Sequence, residues 1–212
     1  MELIHPLAQA YAERFSTPED AALNQVATNT RQTHPKWHML SGHLQGGFLQ
    51  MISEIMQPRY ILEIGTFTGY SAICLSRGLH PEGRVHTIEL RKEDAEQAKK
   101  NFNLAGVEDR IILHEGNALD IIPELDYPWD LVFIDADKPG YIEYYQLVIK
   151  RLRKGGIILA DNVFFHGQVL EPEVTGKSAK AIQAFNEFVA QDQAVNKVLL
   201  TIRDGLLMIL KK

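Results

Sequence analysis

Two aspartates and a lysine follow directly on an apolar run in FIDADKPGY, residues 133 to 141. The apolar run predicts a buried strand. Carboxylates at its end repel one another and lose hydration unless a positive charge lies close to them. A metal ion or an organic cation would supply that charge. Asp135, Asp137 and Lys138 are therefore candidates for a site that binds a cation.

A second polar pair, Asp161 and Asn162, follows the apolar run GIILA. In an open sheet of parallel strands, ligands bind outside the carboxyl ends of the strands, so this pair is expected beside Asp135. Three oxygen ligands there can hold a hard cation such as Mg²⁺ and leave positions for water or substrate. Alone, Asp161-Asn162 would be read as a helix cap or a turn; the predicted proximity of Asp135 favours a metal site.

The stretch EIGTFTGYS, residues 63 to 71, predicts a ligand-binding turn between a strand and a helix. Gly65 and Gly69 allow a tight turn, but Phe67 stands where a dinucleotide fingerprint has its second glycine. The following strand ends in Glu89, where a carboxylate accepts hydrogen bonds from ribose hydroxyls. A nucleoside ligand without a pyrophosphate cradle is expected, which favours a cationic adenosyl sulfonium over NAD.

The elements that position these residues alternate along the chain. Short apolar runs at 59–65, 84–90, 110–116, 130–136 and 156–162 predict strands covered on both faces. Helical patterns lie between them, from Arg91 to Ala105 and from Pro139 to Gly155-Gly156. This alternation predicts a doubly wound α/β sheet. Asp204-Gly205 between VLLTI and LLMIL predicts a final antiparallel hairpin, and about 55 helical residues precede the sheet, with Leu44, Phe48, Ile52 and Ile55 on one face.

Length and composition are typical of one soluble domain. The chain has 212 residues, 45% of them hydrophobic, and a net charge of −5, which argues against a nucleic-acid surface. Its single cysteine, Cys74, excludes an intrachain disulfide and favours a reducing compartment. The N-terminus has no secretory-signal pattern and no apolar run has membrane-spanning length, so a cytoplasmic protein is expected. We predict a single domain over 1–212, with a helical segment at 1–57 and the sheet core at 58–212.

The motifs EIGTFTGYSA, FIDADKPGY and ILADNVFFHGQV, with SGHLQGGFL upstream, resemble those of the cation-dependent O-methyltransferases of the caffeoyl-CoA and catechol type. The likeness covers the chain from about residue 30 onward. It implies the class I methyltransferase fold, a Rossmann-like and mostly parallel seven-stranded sheet with a C-terminal antiparallel hairpin. It also implies S-adenosylmethionine, a divalent cation (Mg²⁺, or Ca²⁺ or Mn²⁺), a vicinal diol as methyl acceptor and a homodimer.

The resemblance assigns roles residue by residue. It implies a catalytic base at Lys138 and metal ligands at Asp135, Asp161 and Asn162, with Asp135 also placed in the catalytic centre. The positions that match cofactor contacts are Ser41, Glu63, Gly65, Thr66, Ser71, Glu89, Ala118, Asp135 and Asp137. At His166 the chain departs from the plant caffeoyl-CoA enzymes, which carry a substrate-contacting Asn there, and its N-terminal segment has little Lys or Arg to hold a CoA ester.

Three alternatives remain open on sequence. A nicotinamide-dependent oxidoreductase would share the sheet class, although the missing glycines and the Asp161-Asn162 pair oppose it. A methyltransferase of hydroxylated tRNA bases is compatible with the resemblance, although the acidic net charge counts against it. A non-catalytic nucleotide-binding or scaffolding protein would need no metal ligands.

Overall fold

Seven strands form one sheet in the computed structural model, which describes residues 3–212; residues 1 and 2 of the predicted N-terminal segment lie outside the described residues. The strand order is β3-β2-β1-β4-β5-β7-β6. The pairs among β1 to β5 are parallel, and β7 pairs antiparallel with both β5 and β6. The predicted parallel sheet and its terminal hairpin are confirmed. The strands are β1 Tyr60–Ile64, β2 Arg84–Glu89, β3 Ile111–Glu115, β4 Trp129–Ile134, β5 Leu152–Asp161, β6 Val195–Leu200 and β7 Leu206–Lys211.

Eight α-helices accompany the sheet within the described residues. Three precede β1, and the others follow the strands in turn. Their bounds are α1 Pro6–Phe15, α2 Ala21–Thr33, α3 His43–Met56, α4 Tyr70–Ser76, α5 Lys92–Leu104, α6 Ala118–Ile121, α7 Tyr141–Arg151 and α8 Lys177–Gln191. The predicted helix 91–105 corresponds to α5, and Gly106 follows it with a left-handed φ of 63°. Nowhere in residues 3–212 does a helix combine the length and the apolar character that crossing a membrane requires.

The chain order reverses between β1 and β4, since β2 and β3 lie on one side of β1, and β4 and β5 lie on the other. A reversal of this kind opens a crevice at the carboxyl ends of the strands, which is where open α/β sheets bind ligands. The centre of the sheet is apolar on both faces: in β1 and β4 the residues Ile61, Leu62, Leu131 and Val132 have no exposed surface. The crevice therefore opens at the end of a close-packed sheet centre.

The predicted apolar face of α3 is wrong in part. Ile55 is 73% exposed, and the buried residues of α3 are Gln45, Gly46, Leu49 and Ser53. The reason is close packing of α3 on α4. A Cβ at Gly46 would lie 2.7 Å from the Tyr70 ring, and the Ser53 hydroxyl donates to the Leu75 carbonyl at 2.6 Å. Small residues, rather than the largest apolar ones, therefore decide which face of α3 is buried.

The predicted bounds of the helix before β5 are also wrong. Lys138–Gly140 forms a 3-10 turn that contains Pro139, α7 begins at Tyr141, and β5 already begins at Leu152. The register between β4 and β5 shifts between the Trp129–Leu152 and Leu131–Ile157 pairs, so β5 bulges before its regular part. Gly155, with φ of 73°, lies in this bulge and does not end a helix.

Candidate active site

A cavity of about 680 Å³ opens at the carboxyl ends of β1, β2, β4 and β5. All the predicted site residues except Glu63 line it, which brings together residues from the segment before α3, from four strand ends and from the helices that follow the strands. They are Ser41, Gly65, Thr66, Ser71, Glu89, Ala118, Asp135, Asp137, Lys138, Asp161 and Asn162. Met39, Phe165 and His166 line the same cavity, so it has an aromatic and apolar part next to its acidic part.

The turn after β1 is tied to the end of β2 through Glu89. One carboxylate oxygen of Glu89 accepts the Phe67 backbone N–H at 2.7 Å, and the other accepts the Arg91 backbone N–H at 3.0 Å. Phe67 has a φ of 50°, so it adopts the left-handed conformation that a glycine has in a dinucleotide fingerprint. The Arg91 Nε also lies 3.5 Å from the second oxygen, so the buried carboxylate is held in one orientation at the cavity wall, and the oxygen that accepts from Phe67 keeps a second lone pair.

The residues that directly follow β1 and β4 pack tightly against each other at Gly65. Its φ is 97°, and a Cβ there would lie 2.1 Å from the backbone oxygen of Asp135. The Asp135 N–H donates to the Ile64 carbonyl at 2.8 Å, which joins the two strand ends. Any side chain at position 65 would force Asp135 away from the turn. Glycine is therefore required here in order to place Asp135.

Glu63 lies behind the cavity wall and has no exposed surface. Burial raises its pKa to about 8, and the Ser71 hydroxyl and the Thr87 hydroxyl, which donates at 2.5 Å, partly offset this effect. Its Oε1 atom is buried and has no hydrogen-bond partner within the part of the chain that the structure describes. A buried carboxyl group with a raised pKa ionises more readily when a cationic group binds nearby.

The Lys138 ammonium lies between two predicted metal ligands. It donates to Asn162 Oδ1 at 2.8 Å and to Asp135 Oδ1 at 3.2 Å, and its third partner is the Tyr141 hydroxyl at 2.7 Å. The Lys138 side chain is mostly buried, so these three contacts use its full donor capacity. Oxygens from the ends of β4 and β5 therefore converge on a point that accepts positive charge.

Asp161 is the third residue of the predicted set of oxygen ligands. Burial raises its pKa to about 6, and the charge of Asp135 acts in the same direction, so the two carboxylates are close enough to repel each other. Two carboxylates and one amide form the all-oxygen donor set that a hard divalent cation prefers. This set contains only two carboxylates, because its other member is the amide of Asn162. Among residues 3–212, no group of three or more His, Cys, Asp or Glu side chains is arranged to hold a metal ion.

Sequence reasoning missed three side chains that hold the site together. The Tyr141 hydroxyl donates to the Asp161 carbonyl at 2.9 Å, so its oxygen is left to accept from Lys138. The Tyr144 hydroxyl donates to Asp137. Gln45 of α3 donates to Asp161 at 2.7 Å. The tyrosines follow Lys138 at helical spacing, which is a usable signal, whereas no local pattern points to Gln45.

The model of the O-methyltransferase family matches residues 13–212 of this chain. The chain belongs to the O-methyltransferase family. Its match to the family covers the whole sheet and every predicted site residue. The likeness therefore extends through the cavity as well as the fold.

Individual family members are similar over most of their length. A catechol O-methyltransferase of Niastella koreensis is 39% identical over 160 residues, which are 74% of this chain and 72% of the relative. A probable caffeoyl-CoA O-methyltransferase 2 of Dictyostelium discoideum is 36% identical over 188 residues, 86% of this chain and 81% of the relative. The crystal structure of the O-methyltransferase TomG of Streptomyces achromogenes, in complex with SAM, superposes with a TM-score of 0.86 at 35% identity, covering 96% of this chain and 95% of that chain. The chain has the class I methyltransferase fold of this family.

Proposed function

We propose that this O-methyltransferase transfers a methyl group from S-adenosylmethionine to one hydroxyl of a catechol-type diol and requires a divalent cation such as Mg²⁺. The observation that carries the proposal is the convergence of Asp135, Asn162 and Lys138 at one end of a cavity whose other end presents Glu89. The acidic end is suited to a metal ion, and the Glu89 end is suited to a ribose. The names of the relatives support a catechol-type acceptor.

The cofactor assignment rests on Glu89 and Glu63. Glu89 lines the cavity and keeps acceptor capacity for the ribose hydroxyls. Glu63 lies behind the cavity wall, and its proposed role is to favour a cationic cofactor through its charge rather than by direct contact. Asp137, Ser41, Ser71 and Ala118 line the same cavity and are proposed as further contacts. TomG, a relative with 35% identity, was crystallised with SAM.

The chain's own residues supply orientation and proton transfer. A phenol has a pKa of about 10, so it is mostly protonated near neutral pH and must be deprotonated before it attacks the methyl group. A divalent cation held by Asp135, Asp161 and Asn162 would favour the ionised form of the acceptor. Lys138 Nζ is held among the same ligands and is proposed as the base that removes the hydroxyl proton. The Tyr141 hydroxyl accepts a hydrogen bond from Lys138 Nζ and so helps to hold the Lys138 side chain in place.

The direct test is a transfer assay with radiolabelled S-adenosylmethionine over catechols, flavonoids and hydroxylated nucleosides in the presence of Mg²⁺. We expect labelled mono-methyl ethers from the catechols. Transfer to nucleosides alone would favour the tRNA-base alternative, and the absence of any transfer, with cofactor binding intact, would refute the proposed acceptor class.

Replacing Glu89 is expected to weaken the cofactor complex. The Glu89→Ala change removes a charge-assisted hydrogen-bond acceptor, which is worth roughly 1.5–3 kcal/mol, and it also frees the Phe67 and Arg91 amides. Calorimetric titration with S-adenosylhomocysteine measures the loss. Glu115→Ala, at the exposed end of β3, is the matched control and should leave the affinity unchanged. Unchanged affinity in Glu89→Ala, or tight NAD binding by the native chain, would contradict the assignment.

Glu63 is expected to make stability and cofactor binding depend on pH. Its pKa in the folded protein is above its ordinary value of 4.5, so its contribution to stability is complete below about pH 4.5 and is lost as pH rises through about 8. The slope from one such group is at most about 1.4 kcal/mol per pH unit. Urea unfolding between pH 5.5 and 8 should show this slope, and Glu63→Gln should remove it.

The same glutamate should release a proton when the cationic cofactor binds near pH 7, because a positive charge favours the ionised carboxylate. Calorimetry in two buffers of different ionisation enthalpy measures that release. Glu63→Gln should abolish it, whereas Glu115→Gln should not. Equal proton release in wild type and Glu63→Gln would show that another group titrates.

The protein is further proposed to be a cytoplasmic homodimer. The single cysteine supports a reducing compartment. Exposed apolar side chains on α1 and α3, among them Leu7, Tyr11, Met51 and Ile55, support an interface between copies. Light scattering coupled to size exclusion should give twice the chain mass of 24.0 kDa. A monomer at micromolar concentration would contradict the dimer.

A further inference from the structure

The Asp161 carboxylate is held by two hydrogen bonds from different parts of the chain. Its Oδ1 accepts the Asn162 backbone N–H at 2.8 Å, and its Oδ2 accepts the Gln45 side-chain amide at 2.7 Å. Asp161 is 2% exposed and Gln45 is 1% exposed, so water does not compete for these contacts. Each carboxylate oxygen retains a second lone pair for another partner.

Gln45 has a fixed orientation because of Arg203. The Arg203 Nη1 donates to Gln45 Oε1 at 3.1 Å. A guanidinium has donors only, so it must face the oxygen of the amide, and the NH₂ group must then face Asp161. The opposite orientation would place a donor against Arg203 and an acceptor against the carboxylate. The side chains thus form the ordered series Arg203, Gln45, Asp161.

Arg203 is itself anchored in the turn between β6 and β7. Its φ of 49° is left-handed, and its guanidinium also donates to the Ser41 carbonyl just before α3. The same turn holds the segment after Asn162, since the Asp204 and Gly205 carbonyls accept the N–H groups of Phe164 and Val163 at 2.9 and 3.1 Å. The turn of the C-terminal hairpin therefore forms hydrogen bonds both to α3, which carries Gln45, and to the loop that follows Asn162.

We propose that Gln45 and Arg203 are positioning residues that hold the Asp161 carboxylate in one orientation toward a divalent cation. This inference rests on the proposed function, because it gives Asp161 the role of a metal ligand. Hydrogen-bonded partners behind a metal ligand typically change metal affinity or activity by about 10- to 100-fold when they are removed. Gln45 is expected to have the larger effect, since Arg203 acts through it.

The test measures the affinity of Mn²⁺ for the full chain in the presence of S-adenosylhomocysteine and without an acceptor. The electron paramagnetic resonance signal of free Mn²⁺ reports how much of the metal has bound. Gln45→Met keeps the length of the side chain and loses the donor. It should weaken Mn²⁺ binding about 10- to 100-fold while S-adenosylhomocysteine affinity stays within about twofold. Gln50→Met is the matched control, since Gln50 lies on the same helix and bonds only Glu54 among its described side-chain contacts; it should bind Mn²⁺ like wild type.

The double variant tests whether Arg203 acts on Asp161 through Gln45 or through an independent effect on packing. Arg203→Met alone should weaken Mn²⁺ binding by a smaller factor, Arg203→Lys should restore part of the loss, and Arg203→Met added to Gln45→Met should change little further. Wild-type Mn²⁺ affinity in both Gln45→Met and Arg203→Met, while Asp161→Ala abolishes binding, would overturn the positioning role and leave the metal site intact. No Mn²⁺ binding by the wild type would overturn both.

Discussion

Replacing Asp161 with alanine is expected to lower methyl transfer to catechol by at least about 100-fold. A metal ion supplies several kcal/mol to the reaction, and each 1.36 kcal/mol corresponds to a factor of ten. EDTA should have a similar effect on the wild type, and added Mg²⁺ should reverse it. Initial rates with labelled S-adenosylmethionine measure both losses.

The control for this experiment is Asp120→Ala, which removes an exposed aspartate from α6 and should leave the rate unchanged. Asp161→Ala leaves the buried Gln45 amide without an acceptor, at a cost of about 1–3 kcal/mol in stability. Thermal unfolding should therefore show a lower but cooperative transition. Full activity of metal-free protein in chelator, with the metal content checked by elemental analysis, would refute cation dependence.

A catechol is expected to react on the order of 100-fold or more faster than the corresponding monophenol. Mg²⁺ prefers six oxygen ligands in octahedral geometry. Asp135, Asp161 and Asn162 offer three of these if each binds through one oxygen, a water can supply a fourth, and neighbouring ring hydroxyls can supply two more. A single phenol oxygen loses this orientation, and misplacement of a reacting group by about 1 Å can cost 100-fold in rate.

Matched pairs of acceptors test the diol requirement. Catechol against phenol, and caffeic acid against p-coumaric acid, differ by one hydroxyl each, and the initial rates should separate in both pairs. His166 and Phe165 line the cavity and are proposed to face the acceptor. Substitutions there should change which diol is preferred and should leave the diol-to-monophenol rate ratio unchanged. Equal rates within a pair would refute the requirement for two oxygens, even for an active methyltransferase.

Most of the parallel strands could be predicted because β1, β2, β4 and the second half of β5 are buried on both faces and therefore form short apolar runs. The edge strand β3 is partly exposed. The polar residues at the strand ends could be placed together because parallel strands end at the same edge. Glu89, Asp135, Asp161 and Asn162 accordingly line one cavity. Their positions at the ends of predicted strands were sufficient to predict that these residues lie close together, since the sheet itself brings the strand ends to one edge.

Contacts between distant segments could not be predicted in this way. Gln45 and Arg203 are 158 positions apart and meet only because α3 packs on α4 through Gly46 and because the hairpin turn faces α3. The early start of β5 was missed since its bulge places Gly155 inside a strand. Sequence periodicity shows which residues an element can bury, but close packing of small residues decides which of them it does bury.

A crystal structure with Mn²⁺, S-adenosylhomocysteine and catechol would show where the cation and the acceptor bind, because anomalous scattering locates the metal ion independently of its surroundings. We predict one anomalous peak within about 2.0–2.3 Å of oxygens from Asp135, Asp161 and Asn162. Both catechol oxygens should lie within the same distance, with one of them facing Lys138 Nζ. An anomalous peak elsewhere in the cavity, or a catechol bound through one oxygen away from Lys138, would contradict the proposed metal site and the role of Lys138.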